Sequence, residues 1–174
     1  MNSYSGIAKK PERTNYFNGQ LLTLADLERD QQYLRDRLRR HNRLAHGWGV
    51  IHGLHVGIEG GDILVAPGFA IDCEGNELEV VEQQRIAIGT LATSFYVGIK
   101  FLEIPSTPVQ GPNGLVNATI IETAEIELST ENACLGHKKL GPGTPGCGQS
   151  HAVVLANVKP RQGDWQIKQA KNSA

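Results

Sequence analysis

The sequence lacks any apolar run long enough to cross a membrane, and its first residues, MNSYSGIAKKPERT, lack the apolar segment of a secretion signal. We therefore expect neither membrane insertion nor signal-dependent secretion, and we expect the protein to be made and assembled in the cytoplasm. Cysteine is also scarce. Three cysteines in a cytoplasmic chain argue against a disulfide framework and favour metal binding or simple burial.

The motifs of the common catalytic sites are missing too. No serine lies in a nucleophile elbow and no glycine-rich loop has the phosphate-binding pattern. The run GIEGG at residues 57–61 predicts a turn and not a dinucleotide site, because no helix follows it. We predict that the protein is not an enzyme.

An excess of positive charge is absent as well, since the formal net charge is −1 at pH 7. Five arginines between residues 35 and 43 are compatible with nucleic-acid binding, but no aromatic side chains interleave with them. We therefore predict no nucleic-acid partner. No internal repeat of fixed period occurs, which argues against a solenoid or a propeller.

What the chain does contain is glycine and proline, 20 and 8 residues respectively, with 40% hydrophobic residues. This composition is typical of a turn-rich β protein. The fold class we predict is α+β and β-rich, with one long N-terminal helix packed on a small antiparallel β-sandwich or barrel.

The helix is predicted to begin after Thr23, an N-cap residue whose capping-box partner is Asp26, and to end at Gly47 after about six turns. Its apolar residues form only a narrow stripe, which includes Leu27, Leu34 and Leu38. A helix with so wide a polar circumference is expected on a surface or against a partner subunit.

The β part is predicted from short apolar runs between turn residues. Val50, Leu54, Val56 and Ile58 have the spacing of one strand face, with His52 and Gly53 interrupting it. Further strands are predicted at residues 63–65, 69–71, 78–81, 95–102, 120–128 and 153–158, with 95–102 central and 165–167 pairing with 153–158. The segment 104–117, rich in proline and glycine, is predicted to be a long loop.

The domain organisation follows from these elements. It comprises a flexible N-terminal arm (1–14), an aromatic turn with the long helix (15–49), an antiparallel β domain with a Cys/His loop at 131–151 (50–168), and a polar tail (169–174).

Four residues have metal-ligand spacing: Cys134 and His137, then Cys147 and His151. Four such ligands with no open position favour a structural Zn²⁺ site, which would order a loop that has little core of its own. The alternatives are a small buried cysteine, a free thiol and two surface histidines. Cys73, remote in sequence and in a tight turn, is interpreted as structural.

A second group of histidines consists of His41, His46, His52 and His55. His52 and His55 are at odd spacing on a predicted strand, and His41 and His46 are five apart on the helix, so neither pair is expected to share a metal. Capping, packing or subunit contact accounts for them more simply than catalysis.

Three sequence blocks resemble a family of small proteins from contractile injection systems, the phage-tail-like particles of bacteria. The blocks are YFNGQLLT at 16–23, HNRLAHGWGV at 41–50 and PGFAID at 67–72. The resemblance spans about half of the chain. It implies a structural component of the tail or baseplate, near the attachment of a fibre or of the baseplate, in a particle that is released as a whole if it leaves the cell.

We therefore expect a structural subunit that acts through protein–protein contacts. Aromatic and arginine side chains dominate many interfaces, and the residues expected here are Tyr16, Phe17, Arg35, Arg39, Arg43 and Trp48. The expected partners are other tail or baseplate proteins and further copies of the chain. The alternative is a zinc-stabilised module that binds a small ligand or carbohydrate through the loop 105–117.

Overall fold

The computed structural model of the protein describes residues 10–134 and 146–170. One helix, α1 (Leu24–His41), continues into a π-helical turn, Asn42–His46. Ten strands follow within the described residues: β1 Gly49–Gly53, β2 Val56–Glu59, β3 Asp62–Val65, β4 Gly68–Ile71, β5 Glu77–Val80, β6 Gln84–Ala87, β7 Phe95–Gly111, β8 Gly114–Ser129, β9 Val153–Arg161 and β10 Asp164–Gln169.

The start and the end of the helix agree with the sequence prediction. The Thr23 hydroxyl accepts a hydrogen bond from the Asp26 amide at 3.3 Å, and the Thr23 amide donates to the Asp26 carboxylate at 3.1 Å. Gly47 has φ 81°, a conformation that glycine adopts without steric cost, and it ends the helical segment. Local sequence therefore determines both ends.

The strands form three antiparallel sheets, with orders β1-β4-β5, β2-β3-β6 and β10-β9-β7-β8. Gly60 and Gly61 make the two-residue turn between β2 and β3. The α+β, β-rich fold class is thus confirmed, and so are the central position of β7 and the pairing of β10 with β9. Within the described residues, no helix combines the length and the apolar character of a membrane span.

The core is one cluster to which all three sheets contribute. Phe95, Ile99 and Leu155 come from the four-stranded sheet, Leu78 from β5, and Ile63 from β3, and each is almost fully buried. None of the residues of α1 is buried. The β part therefore has its own core, and the helix contributes nothing to it.

Val50, Leu54, Val56 and Ile58, predicted to share one strand face, all belong to the core or pack against it, but the run is not one strand. Leu54 has φ 56°, which breaks the run into β1 and β2. This conformation is unfavourable for leucine, but its side chain is only 2% exposed in the core. Burial of the side chain thus outweighs the local preference of the backbone.

The predicted loop at 104–117 is also wrong, because these residues form the distal half of a long hairpin. β7 and β8 pair from Tyr96↔Ser129 out to Gly111↔Gly114. β9 pairs with β7 only over residues 95–99. The distal part of β7 therefore has an open edge, where strands accept proline, and this explains Pro105 and Pro108 inside a strand.

Candidate functional site

The apolar stripe of α1 faces solvent instead of the core. Leu24 is 71% exposed and Leu34 is 63% exposed, and Phe17 in the segment before the helix is 67% exposed. Together we call these residues the helix surface: Tyr16, Phe17, Leu21, Leu22, Leu24, Leu27, Leu34 and Leu38. Large exposed apolar patches usually mark an interaction site.

Local hydrogen bonds place the aromatic residues next to the helix. Gly19 has φ 85°, and the Gln20 amide donates to the Phe17 carbonyl at 3.2 Å, which closes a turn. The buried Thr14 hydroxyl donates to the Asp26 carbonyl at 2.9 Å. These bonds fix the segment that precedes the helix.

Two ionisable groups of this region have shifted pKa values. Hydrogen bonds from Thr23 hold the pKa of Asp26 below its ordinary value of 3.8. Partial desolvation, and then the nearby charge of Asp30, raises the pKa of Tyr16. Asp26 therefore stays ionised at neutral pH, as its capping role requires.

The polar side of α1 faces the β part. Arg35 forms an ion pair with Glu103 of β7 at 3.2 Å, and Arg39 forms one with Glu74 at 3.2 Å. Asn42, which is buried, donates to the Gly75 carbonyl at 3.0 Å. Two of the three predicted interface arginines thus already bind acidic residues of their own chain. Asn42 also connects the helix to the β part, and the sequence analysis missed it.

Beside this polar side lies an open cleft of ≈ 1010 Å³. Seven basic and four acidic side chains line it, among them Lys10, Arg29 and Arg43, together with Ile120 of β8. The basic excess means that the cleft attracts acidic groups.

Trp48 is not at the surface. Its side chain is 5% exposed and belongs to the core, where it makes an edge-to-face contact with the His151 ring at a centroid distance of 5.9 Å. Gly47, with its positive φ, directs the chain from the helix into β1, which brings Trp48 inside. It is therefore a core residue and not an exposed interface residue of this chain.

The distal hairpin exposes further apolar side chains, which alternate between its two faces. These residues, which we call the hairpin surface, are Ile104, Val109, Leu115, Val116, Ile120 and Ile121. Ile104 lies opposite Ile121, and Val109 opposite Val116. A two-stranded hairpin in water is marginally stable and its edges can pair with further strands, so this element is suited to contact with another chain.

A separate group of side chains brings together Cys73, Cys147 and His151. Their ligand atoms lie within 4.8 Å of one another. Cys73 is in the turn between β4 and β5, where the buried Asp72 carboxylate accepts from the amides of residues 74, 75 and 76. These residue types, close together, are able to bind a metal ion.

The predicted ligand set therefore changes. Cys147 and His151 meet each other, as the spacing predicts, but their partner is Cys73, and His137 lies outside the described residues. Cys134 is close by, and burial raises the pKa of both Cys134 and Cys73. Cys73 was missed because it is far away in sequence and only the tertiary fold brings it to the others.

His41, His46, His52 and His55 belong to no group of three possible metal ligands in the part of the chain that is described. The rings of His41 and His46 meet edge to face at 5.2 Å, although five residues separate them. The π-helical turn explains this contact, because its hydrogen bonds join residues five apart. His52 stacks on Phe69 at 6.4 Å.

No protein-family model matches the chain, and no curated protein matches it in sequence. Solved structures that are similar in fold include the following two. The crystal structure of TssK has a TM-score of 0.51 and 13% identity, over 91% of this chain and 41% of that one. The structure of the type VI secretion system TssK-TssF-TssG baseplate subcomplex contains a chain with a TM-score of 0.50 and 12% identity, over 91% of this chain and 60% of that one.

The chain spans about half the length of the solved proteins that it matches. At this level of identity the similarity establishes the fold alone.

Proposed function

We propose that this protein is a structural subunit of the baseplate of a contractile injection system and that it acts through protein–protein contacts. The observation that carries the proposal is the orientation of α1, whose apolar stripe faces away from the β part of its own chain. A helix on the surface of a globular protein ordinarily turns that stripe inward. The reverse orientation is expected when another polypeptide covers the stripe.

The energetic reason is the burial of apolar side chains. Covering a leucine side chain stabilises a contact by about 1.5–3 kcal/mol, and the helix surface contains six leucines besides two aromatic residues. The hairpin surface adds further apolar area. In an isolated monomer these side chains stay exposed to water, whereas contact with a partner in an assembled particle would bury them.

The similarity of the fold to TssK, and to a chain of the TssK-TssF-TssG subcomplex, supports the choice of the baseplate. The sequence blocks that resemble proteins of contractile injection systems point to the same kind of particle. In this proposal the partners are other baseplate proteins and further copies of the chain, and the protein has no catalytic role.

The charge of the cleft predicts which kind of partner surface would bind there. Because basic side chains outnumber acidic ones there, a neighbouring subunit would present an acidic segment. A ligand-binding module is not proposed, since the supposed loop at 105–117 is a paired hairpin and offers no concave loop site.

The test uses particles purified from cells that produce the full chain. The double variant Leu27→Ser/Leu34→Ser is expected to fold as the wild type does but to be lost from sedimented particles. Val81→Ser is the matched control, because Val81 is 75% exposed and lies outside both apolar surfaces. Incorporation of the double variant at the wild-type level, or absence of the wild-type chain from particles, would contradict the proposal.

A further inference from the structure

We propose that Cys73, Cys147 and His151, with Cys134 as fourth ligand, hold a structural zinc ion that fastens residues 146–151 to the turn after β4. This inference does not depend on the proposed baseplate function. It replaces His137 of the sequence prediction by Cys73, and it gives a Cys₃His donor set, one of the sets typical of structural zinc.

The separations of the three central ligand atoms fit such a site. With Zn–S and Zn–N distances of about 2.3 and 2.0–2.1 Å, tetrahedral ligands lie about 3.5–3.8 Å apart. In the structure the three atoms are within 4.8 Å of one another. Side-chain adjustments of about 1 Å therefore suffice to close the group around an ion.

The hydrogen bond of His151 selects the tautomer that a metal needs. Nδ1 lies 3.0 Å from the carbonyl oxygen of Ala152. Because a carbonyl only accepts, Nδ1 carries the proton and the lone pair of the neutral ring lies on Nε2. Donation from the second ring nitrogen to a backbone carbonyl is the usual arrangement of a zinc-bound histidine.

The same carbonyl places Cys134 beside the histidine. The Cys134 sulfur donates to the Ala152 oxygen at 3.6 Å, so this thiol and the His151 ring both approach the same oxygen atom. Cys134 is half-buried. Its thiol is a ligand of the type that would complete a set of four.

The segment that contains Cys147 has little else to order it. Residues 146–151, GCGQSH, contain no aliphatic or aromatic hydrophobic side chain. The Gly148 amide donates to the Cys73 carbonyl at 3.3 Å, and the Ser150 hydroxyl donates to Asp72 at 3.0 Å. Metal binding would supply the ordering free energy that a core supplies elsewhere.

Gly146 shows how closely the segment lies on the turn. A Cβ atom at this position would be 2.6 Å from the Cα of Cys73, so only glycine permits the contact. The approach of the two backbones is what brings Cys147 next to Cys73. Two distant parts of the chain are thus in place to share one ion.

The test measures zinc in the full chain, purified under reducing conditions without chelator, by elemental analysis. About one zinc per chain is expected. The ion should be lost from Cys147→Ser and from His151→Gln, while the matched control His55→Gln, an exposed histidine outside the group, should retain it. Cys147 is exposed, so its replacement leaves the core intact even if Cys73→Ser fails to fold.

A second measurement replaces zinc by Co²⁺ and records the thiolate-to-cobalt charge-transfer absorption, which should fall in Cys134→Ser and in Cys147→Ser. Removal of the ion by chelator should lower the Tm of the wild type but not that of Cys147→Ser. Metal-free wild-type protein, zinc retained by Cys147→Ser, or a Cys73–Cys147 disulfide found by mass spectrometry of the isolated protein would each overturn the site. Zinc retained at full stoichiometry by Cys134→Ser would overturn the fourth ligand.

Discussion

At the scale of single residues, buried polar side chains stabilise turns that apolar packing alone would not stabilise. The Asp72 carboxylate accepts hydrogen bonds from three consecutive amides and from the side chains of Asn76 and Ser150. A carboxylate in this position accepts the hydrogen bonds that these donors would otherwise make to water. Asp72 therefore connects the turn after β4, the start of β5 and the Cys147 segment.

Replacement of Asp72 by alanine should destabilise the protein strongly, because several buried donors lose their acceptor at once. We expect a loss of about 3–5 kcal/mol in the free energy of unfolding, measured by urea denaturation. The control is Asp62→Ala, which removes an exposed ion pair with Arg85 and should cost less than about 1 kcal/mol. Equal losses for the two variants would show that the Asp72 network contributes no more than a surface pair.

At the scale of elements, the long hairpin has two halves of different character. Near the sheet, β7 lies between β8 and β9 and its side chains enter the core. Farther out, only β8 pairs with it and the apolar side chains are exposed. One continuous hairpin thus serves the fold at its base and is free for contact at its tip.

A matched pair of substitutions separates these roles. Ile99 is fully buried and Ile121 is 51% exposed, although both belong to the same hairpin. Ile99→Ala should cost about 2–5 kcal/mol of stability, because it removes core contacts and leaves a cavity, whereas Ile121→Ala should cost less than about 1 kcal/mol. Thermal and urea unfolding of the isolated chain measure both, and a large loss for Ile121→Ala would mean that the distal half already has a covered face.

At the scale of the whole molecule, the helix and the β part are joined by polar contacts and one close backbone approach. Arg39 pairs with Glu74, and Asn42 binds the Gly75 carbonyl. A Cβ atom on Gly75 would lie 2.3 Å from the Arg39 carbonyl oxygen, and Gly75 has φ 97°. The helix is thus positioned by its C-terminal end, while its apolar stripe remains open.

Gly75→Ala should therefore displace the helix from the β part. We expect a loss of about 2–4 kcal/mol, the sum of backbone strain and the clash with Arg39, together with weaker protection of the α1 amides from hydrogen exchange. Gly60→Ala is the control: Gly60 also has positive φ, at 60°, but nothing lies within 4 Å of an added Cβ, so only about 1–2 kcal/mol of strain is expected. Similar losses for both would contradict a close contact between the helix and the turn.

Sequence reasoning succeeded where neighbouring residues decide the structure. Thr23, Asp26 and Gly47 determine the ends of the helix through local hydrogen bonds and backbone sterics, and the Gly60-Gly61 pair determines a hairpin. It failed where partners are far apart in the chain. Proline at 105 and 108 predicts a loop from sequence alone. The structure shows instead that β9 ends before this part of β7, so the edge is open and a strand can contain proline there.

The sequence by itself thus determined the helix, its thin apolar stripe and the β-rich class, because periodicity and capping act over a few residues. Only the tertiary structure decided that the stripe faces away from the β part, that Trp48 lies inside, and that Cys73 joins Cys147 and His151. These outcomes depend on which buried contacts the whole chain can form at once. Burial and long-range packing are properties of the assembled sheets, and no local pattern encodes them.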